Sequence, residues 1–182
     1  METQLWLMLN FSLPKEPSRV RVSVWRKLKK SGSVNIGQST WLLPMGESHE
    51  GAFKEISEEI LLNSGVAYIS KAEFVSTGNK ADVRELFNRA RDEEYNEFID
   101  KCEVCQREIE KETKKQNFIF AEIEENEREI HKLTDWLAAI TERDFFGAPL
   151  AGRADEEFKK CQSMLDEFCA AVYDLDALTY TR

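Results

Sequence analysis

An α+β chain in two parts is predicted for these 182 residues, an alternating strand-and-helix segment followed by a segment of long helices, on three observations. Leu5, Leu7, Leu9, Phe11 and Leu13 alternate with Trp6, Met8, Asn10 and Ser12, the period-2 pattern of a strand with one strongly apolar face. Every Pro and Gly lies in Met1–Gly78 or after Phe146, so the 68 residues Asn79–Phe146 carry no helix breaker. Phe158, Cys161, Leu165, Phe168, Val172 and Leu175 then recur at alternating three- and four-residue steps, a narrow helical stripe.

The elements follow in order. After the first strand, Pro17-Ser18 opens a helix and Gly32 closes it, the usual start and stop residues. Val20, Val24 and Leu28, with Trp25 beside them, give that helix one buried stripe. Val34–Leu43 reads as a hairpin turning near Gly37-Gln38, and Pro44 ends it. A second helix buries Ala52, Phe53, Ile56 and Ile60 and stops at Asn63-Ser64-Gly65; Val66–Val75 is the last strand. This β-α-β-β-α-β order is the ferredoxin-like arrangement, with two helices on one face of an antiparallel sheet. Downstream, Phe98, Cys102, Cys105 and Ile109 form one stripe and Ile130, Leu133, Leu137 and Ile140 another, with an apolar-free break at Thr113–Asn117. About three helices result, expected to pack on one another, on the sheet domain or on a second copy in a homodimer. The expected domains are 1–78, ferredoxin-like, and 79–182, helical.

Charge divides at the same boundary. Residues 1–78 hold nine Lys/Arg against eight Asp/Glu, whereas 79–182 hold sixteen against twenty-six. Within the first part, Lys15–Lys30 contains seven cations and a single acid, Glu16, in a chain of net charge −9. Arg19, Arg21, Arg26, Lys27, Lys29 and Lys30 on the first helix are therefore the candidate contacts to nucleic acid or a protein partner. The competing readings are solubilisation, complementarity of Lys27, Lys29 and Lys30 to the helix dipole, and docking on the acidic half.

Other chemistries fare worse. Cys102 and Cys105 form a CxxC, but they and Cys161 lie on apolar stripes, where free Cys acts as a small hydrophobe. Cys161 and Cys169 are separated by about 12 Å of helical rise, too far to share one metal ion. Neither His49 nor His131 sits in a catalytic context, and no GxSxG or glycine-rich phosphate loop is present. The alternatives are a metal-dependent nuclease of ferredoxin-like type, although the first strand ends Asn10-Phe11-Ser12-Leu13 without a carboxylate, and a scaffold whose acidic helices in 79–182 bind a basic protein partner. No catalytic residue, metal ligand or cofactor is assigned. The N-terminal ten residues lack an export signal, and no apolar run spans a membrane, so the expectation is a cytoplasmic protein with reduced thiols.

Arg21, Trp25, Arg26, Leu28, Gly32, Leu43 and Pro44 together resemble the N-terminal domain of the ChrB family of chromate-resistance regulators, which shows an Arg-x-x-x-Trp-Arg-x-Leu run, a Gly, then a strand ending Leu-Pro. Glu94-Tyr95, Glu97-Phe98 and Arg143-Asp144-Phe145-Phe146-Gly147 look like later landmarks of that family. The first segment is also similar to the middle domain of PaaX-type repressors. What the resemblance implies is a bacterial transcriptional regulator without an established active site. Arg143 and Asp144 read as a helix end whose aromatics plug a core gap, Arg143 pairing with a carboxylate or, alternatively, binding an oxyanion beside the basic helix.

Overall fold

The computed structural model describes residues 5–75 and 77–180, and side chains outside 77–82 and 176–180. Contacts divide the chain into two compact units, Met1–Ala90 with Arg143–Phe146, and Arg91–Glu142 with Gly147–Arg182.

The first unit contains β1 (Trp6–Ser12), α1 (Ser18–Lys30), β2 (Val34–Gly37), β3 (Thr40–Pro44), α2 (Glu47–Leu62) and β4 (Val66–Ala72). The strands lie in the order β2-β3-β1-β4, with each neighbouring pair antiparallel. This is the ferredoxin-like topology: β3 separates β1 from β2, and β1 separates β3 from β4. Leu7 and Leu9 of β1 and Trp41 and Leu43 of β3 point to one face, where Val24 and Leu28 of α1 and Phe53, Ile56 and Ile60 of α2 cover them. The hairpin turns as expected, with positive φ at Gly37 and Gln38.

Gly32 ends α1 at φ 77°, and a Cβ there would lie 3.0 Å from the Phe145 ring, so glycine is required for both backbone and space. Gly65, closing α2, is constrained by space alone, because a Cβ would come within 2.7 Å of the Ser12 carbonyl oxygen.

Four details depart from the pattern-based expectation. Trp25 is 52% exposed instead of joining the α1 stripe. At 100° per residue it stands about 100° from Val24, on the outward side of the buried arc. The last strand stops at Ala72, three residues before Val75. The second sheet face is also apolar at one end, where Trp6, Val34 and Leu42 pack with Val83, Phe87 and Phe146. Leu175 is 47% exposed, so the stripe of the last helix ends at Val172.

The helical unit takes the later part of α3 (Thr77–Lys114) together with α4 (Phe120–Glu142) and α5 (Ala151–Tyr180). The break between α3 and α4, residues 115–119, overlaps the end of the apolar-free stretch and runs two residues past it through Phe118 and Ile119. Phe98, Cys102, Cys105 and Ile109 of α3, Leu133 and Ile140 of α4, and Phe158, Cys161, Leu165, Phe168 and Val172 of α5 form one core. The Leu150 N–H donates to the Asp92 carboxylate at 2.9 Å just ahead of α5. Among the described residues, no helix is long and apolar enough to cross a membrane.

Candidate functional site on helix α1

The sequence of α1 produces two exposed rows. Arg21, Trp25 and Lys29 recur at four-residue steps, about 6 Å of rise, and form one row. Arg19, Arg26 and Lys30, at steps of seven and four, form the second. Val22, 44% exposed, lies between them. Val24 and Leu28 hold the opposite side of the cylinder against the sheet. One short segment thus displays cations on two flanks of an indole ring because its apolar residues are confined to the other arc.

The cations differ in what they face. Lys27 reaches α2, where its Nζ lies 2.8 Å from Glu55 and 3.0 Å from Glu59. Arg19, Arg21, Arg26, Lys29 and Lys30 form no ion pair among the described residues, while the Lys29 Nζ stands 5.9 Å from the Trp25 ring centroid. The last turn of α1 carries Lys27, Lys29 and Lys30 near its carbonyl end, so part of that charge complements the dipole. Beside Trp25, with Ser18, Arg21 and Val22, lies a shallow open depression of about 280 Å³.

Lys27 has the role of a staple between helices. Its hydrogen bonds to Glu55 and Glu59 raise its pKa above the ordinary lysine value. Glu59 is held below the ordinary carboxylate value first by a hydrogen bond from Ser23 and then by Lys27. A depressed carboxylate stabilises the fold above its unfolded pKa, near 4.5, and that gain is lost as pH falls through the lower folded value. The raised lysine stabilises below 10.5, and its gain is lost as pH rises through the folded value. The staple is therefore complete at neutral pH. Because Lys27 is 38% exposed, its worth is within the range of about 0.2–1 kcal/mol. Comparing urea midpoints of the wild type and Lys27→Gln from pH 7 down to pH 3 is expected to show a smaller acid-induced drop in the variant. Identical drops would show that Lys27 does not contribute.

Arg143 and Asp144 lie next to the end of α1. The Arg143 Cβ is 3.1 Å from the point a Gly32 Cβ would occupy. Both residues are half-buried and partnered, and the adjoining Phe145 packs on the cores of both sheet faces. His49, edge-on to Phe145 at 4.7 Å, has its Nδ1 2.8 Å from the Pro44 carbonyl oxygen. Sequence reasoning did not connect His49 with Phe145; the pairing depends on chain closure between residues far apart in sequence.

In the helical unit Cys102, Cys105 and Cys161 are buried together in the core. The Cys161 thiol donates to the Cys102 carbonyl oxygen at 3.4 Å and Gln106 Nε2 donates to its sulfur at 3.6 Å, while the neighbouring Cys161 sulfur and burial raise the Cys102 and Cys105 thiols. Cys161 lies two turns from Cys169 on the unbroken α5. An acid-lined cleft of about 390 Å³ reaches Cys105 past Glu108, Glu122, Glu125 and Glu129. Among the described residues, no group of three or more His, Cys, Asp or Glu is placed to hold a metal ion. His131 is exposed, 3.7 Å from Asp135.

Fold and surface define the class first: a ferredoxin-like platform that displays a cationic helix, in a chain that also builds a three-helix unit. The chain belongs to the family described as Protein ChrB, N-terminal, whose model matches residues 21–178. It is also similar to Protein ChrB of Cupriavidus metallidurans, with 26% identity over 94 residues, 52% of this chain and 28% of that relative. No solved structure matches the chain.

Proposed function

We propose that this chain is a non-enzymatic, ChrB-related regulatory module that holds DNA through the outward face of α1. The observation that carries this reading is the set of five cations, Arg19, Arg21, Arg26, Lys29 and Lys30, that no carboxylate neutralises among the described residues, in a chain of net charge −9. An overall anionic protein is repelled by a polyanion except where its cations are concentrated and free, which selects this surface as the docking face. Lys27 is left out of the contact set because α2 already holds it. Arg143, beside the end of α1, is a further contact for an oxyanion in the same reading. DNA would be bound as a homodimer in the cytoplasm, which light scattering tests; because Val83 and Phe87 pack with the sheet residues, the proposed division into 1–78 and 79–182 is tested by expressing 1–78 beside 1–90.

Titration of a labelled duplex at several salt concentrations tests the binding. Five phosphate contacts predict a slope of log K against log salt of about −4.5, from roughly −0.9 per contact. Replacing Arg26 and Lys30 with Gln is expected to bring that slope to about −2.7. A salt-independent affinity, or an unchanged slope in the double variant, overturns the reading. A protein partner instead of DNA would appear as stoichiometric capture without salt-dependent duplex binding.

A further inference from the structure

We infer that Trp25 is a stacking platform for an unstacked nucleic-acid base, with the Arg21 and Lys29 side chains flanking it to hold the adjoining phosphates. This rests on the nucleic-acid reading of α1 and deepens it. A large aromatic side chain at 52% exposure on a short amphipathic helix has one face to spare, since the sheet is covered by Val24 and Leu28 without it. Its flanks are cationic in the row Arg21–Trp25–Lys29, and Lys29 already stands 5.9 Å from the ring centroid. The depression beside the ring, about 280 Å³ and lined by Ser18, Arg21, Val22 and Trp25, is open on the outward face.

Charge selects the occupant. A second copy of this chain would bring five unneutralised cations against five more, so self-association through this face is opposed. An apolar partner would bury those cations unpaired. A polynucleotide satisfies both features, because every nucleotide offers a phosphate for the cations and a π-face for the indole. The row geometry agrees: Arg21 and Lys29 are one helical turn either side of Trp25, so a base on the ring has a cation along the chain in each direction. The unstacked base can come from a single strand, or from a duplex step opened by the indole as a wedge; the chemistry at the ring is the same.

The experiment uses the full chain with three probes: a twelve-nucleotide oligothymidylate, a paired duplex of that length, and the same duplex with one central unpaired base. Affinity and quenching of tryptophan emission are followed together. Trp6 and Trp41 are buried and Trp136 is half-buried against the helical core, so only the part of the quenching that vanishes in Trp25→Ala is assigned to the exposed ring. Trp25→Ala is expected to bind the single strand about 5- to 150-fold more weakly, the range that base–aromatic stacking produces. The salt slope should stay unchanged, and Trp25→Phe should recover most of the affinity. A loss confined to the single strand and the unpaired-base duplex identifies a pre-existing unstacked base; an equal loss on the paired duplex, with quenching, identifies a wedge. Equal affinity of wild type and Trp25→Ala for all three probes overturns the inference, as does a loss without quenching or without recovery in Trp25→Phe. Failure of the underlying reading looks different: no probe binds, or binding ignores the Arg26 and Lys30 substitutions. Equal quenching by a polyglutamate peptide also overturns it, because the ring would then answer to anionic charge alone. Unchanged far-UV circular dichroism and thermal midpoint in Trp25→Ala exclude misfolding as the cause.

Discussion

Truncating Phe98 to alanine is expected to destabilise the helical unit by about 3–5 kcal/mol, the usual cost of deleting a buried aromatic ring. Phe98 is fully buried on α3, edge-on to Trp136 at 5.6 Å and tilted against Phe158 at 6.0 Å, so one ring joins side chains from all three helices. Its neighbours on the same stripe, Cys102 and Cys105, are too small to fill the space, and the other two rings are held by their own backbones. The loss therefore combines hydration of apolar area with an unfilled cavity. Phe98→Leu keeps most of the volume and should cost less than half as much. Guanidinium unfolding followed by near-ultraviolet circular dichroism measures both. A cost below about 1 kcal/mol for the alanine variant would mean that this core collapses around the gap.

Replacing Trp6 by alanine should weaken the sheet unit by a similar amount, about 3–5 kcal/mol, and the contrast with Trp6→Phe makes the test specific. Trp6 begins β1 and is completely buried; its ring stacks on Phe87 at 5.7 Å and 17°, with Phe146 at 5.8 Å and Phe74 at 6.3 Å. Among the described residues the indole N–H has no hydrogen-bond partner, a desolvation cost on the order of 1–3 kcal/mol already present in the wild type. Phenylalanine keeps aromatic packing and removes that orphan donor, so the two effects offset and Trp6→Phe is expected within about 1.5 kcal/mol of wild type. Equal losses for the alanine and phenylalanine variants would show that the indole's extra ring, not its stacking, anchors the site. Against a typical total of about 5–15 kcal/mol, either alanine variant removes a large share of the stability.

The identity of each element could be read directly from spacing. Alternation in Leu5–Leu13 specifies a strand, Pro17-Ser18 and Gly32 bound a helix, and the apolar-free Thr113–Asn117 overlaps the break between α3 and α4. Those signals act within one strand or one helical turn, where side-chain direction follows from backbone geometry. The ferredoxin-like order was readable for the same reason: six short elements with two helical stripes leave few antiparallel arrangements.

Less of the site was readable. Six cations on α1 look alike as residue types, yet Lys27 is committed to Glu55 and Glu59 of α2. Trp25 could be placed beside the apolar stripe on spacing, and a single residue's difference, Val24 against Trp25, turned it outward. The aromatic cluster of Trp6, Phe87 and Phe146 joins residues distant along the chain. The chain's own pattern determined which segments are helices and strands, their apolar faces and the concentration of cations on α1. Only the tertiary structure decided which of those cations stay uncommitted and that an indole stands between them. The reason is range: secondary structure is set by neighbours a few residues away, whereas the availability of a charge depends on whatever the fold brings within about 4 Å of it.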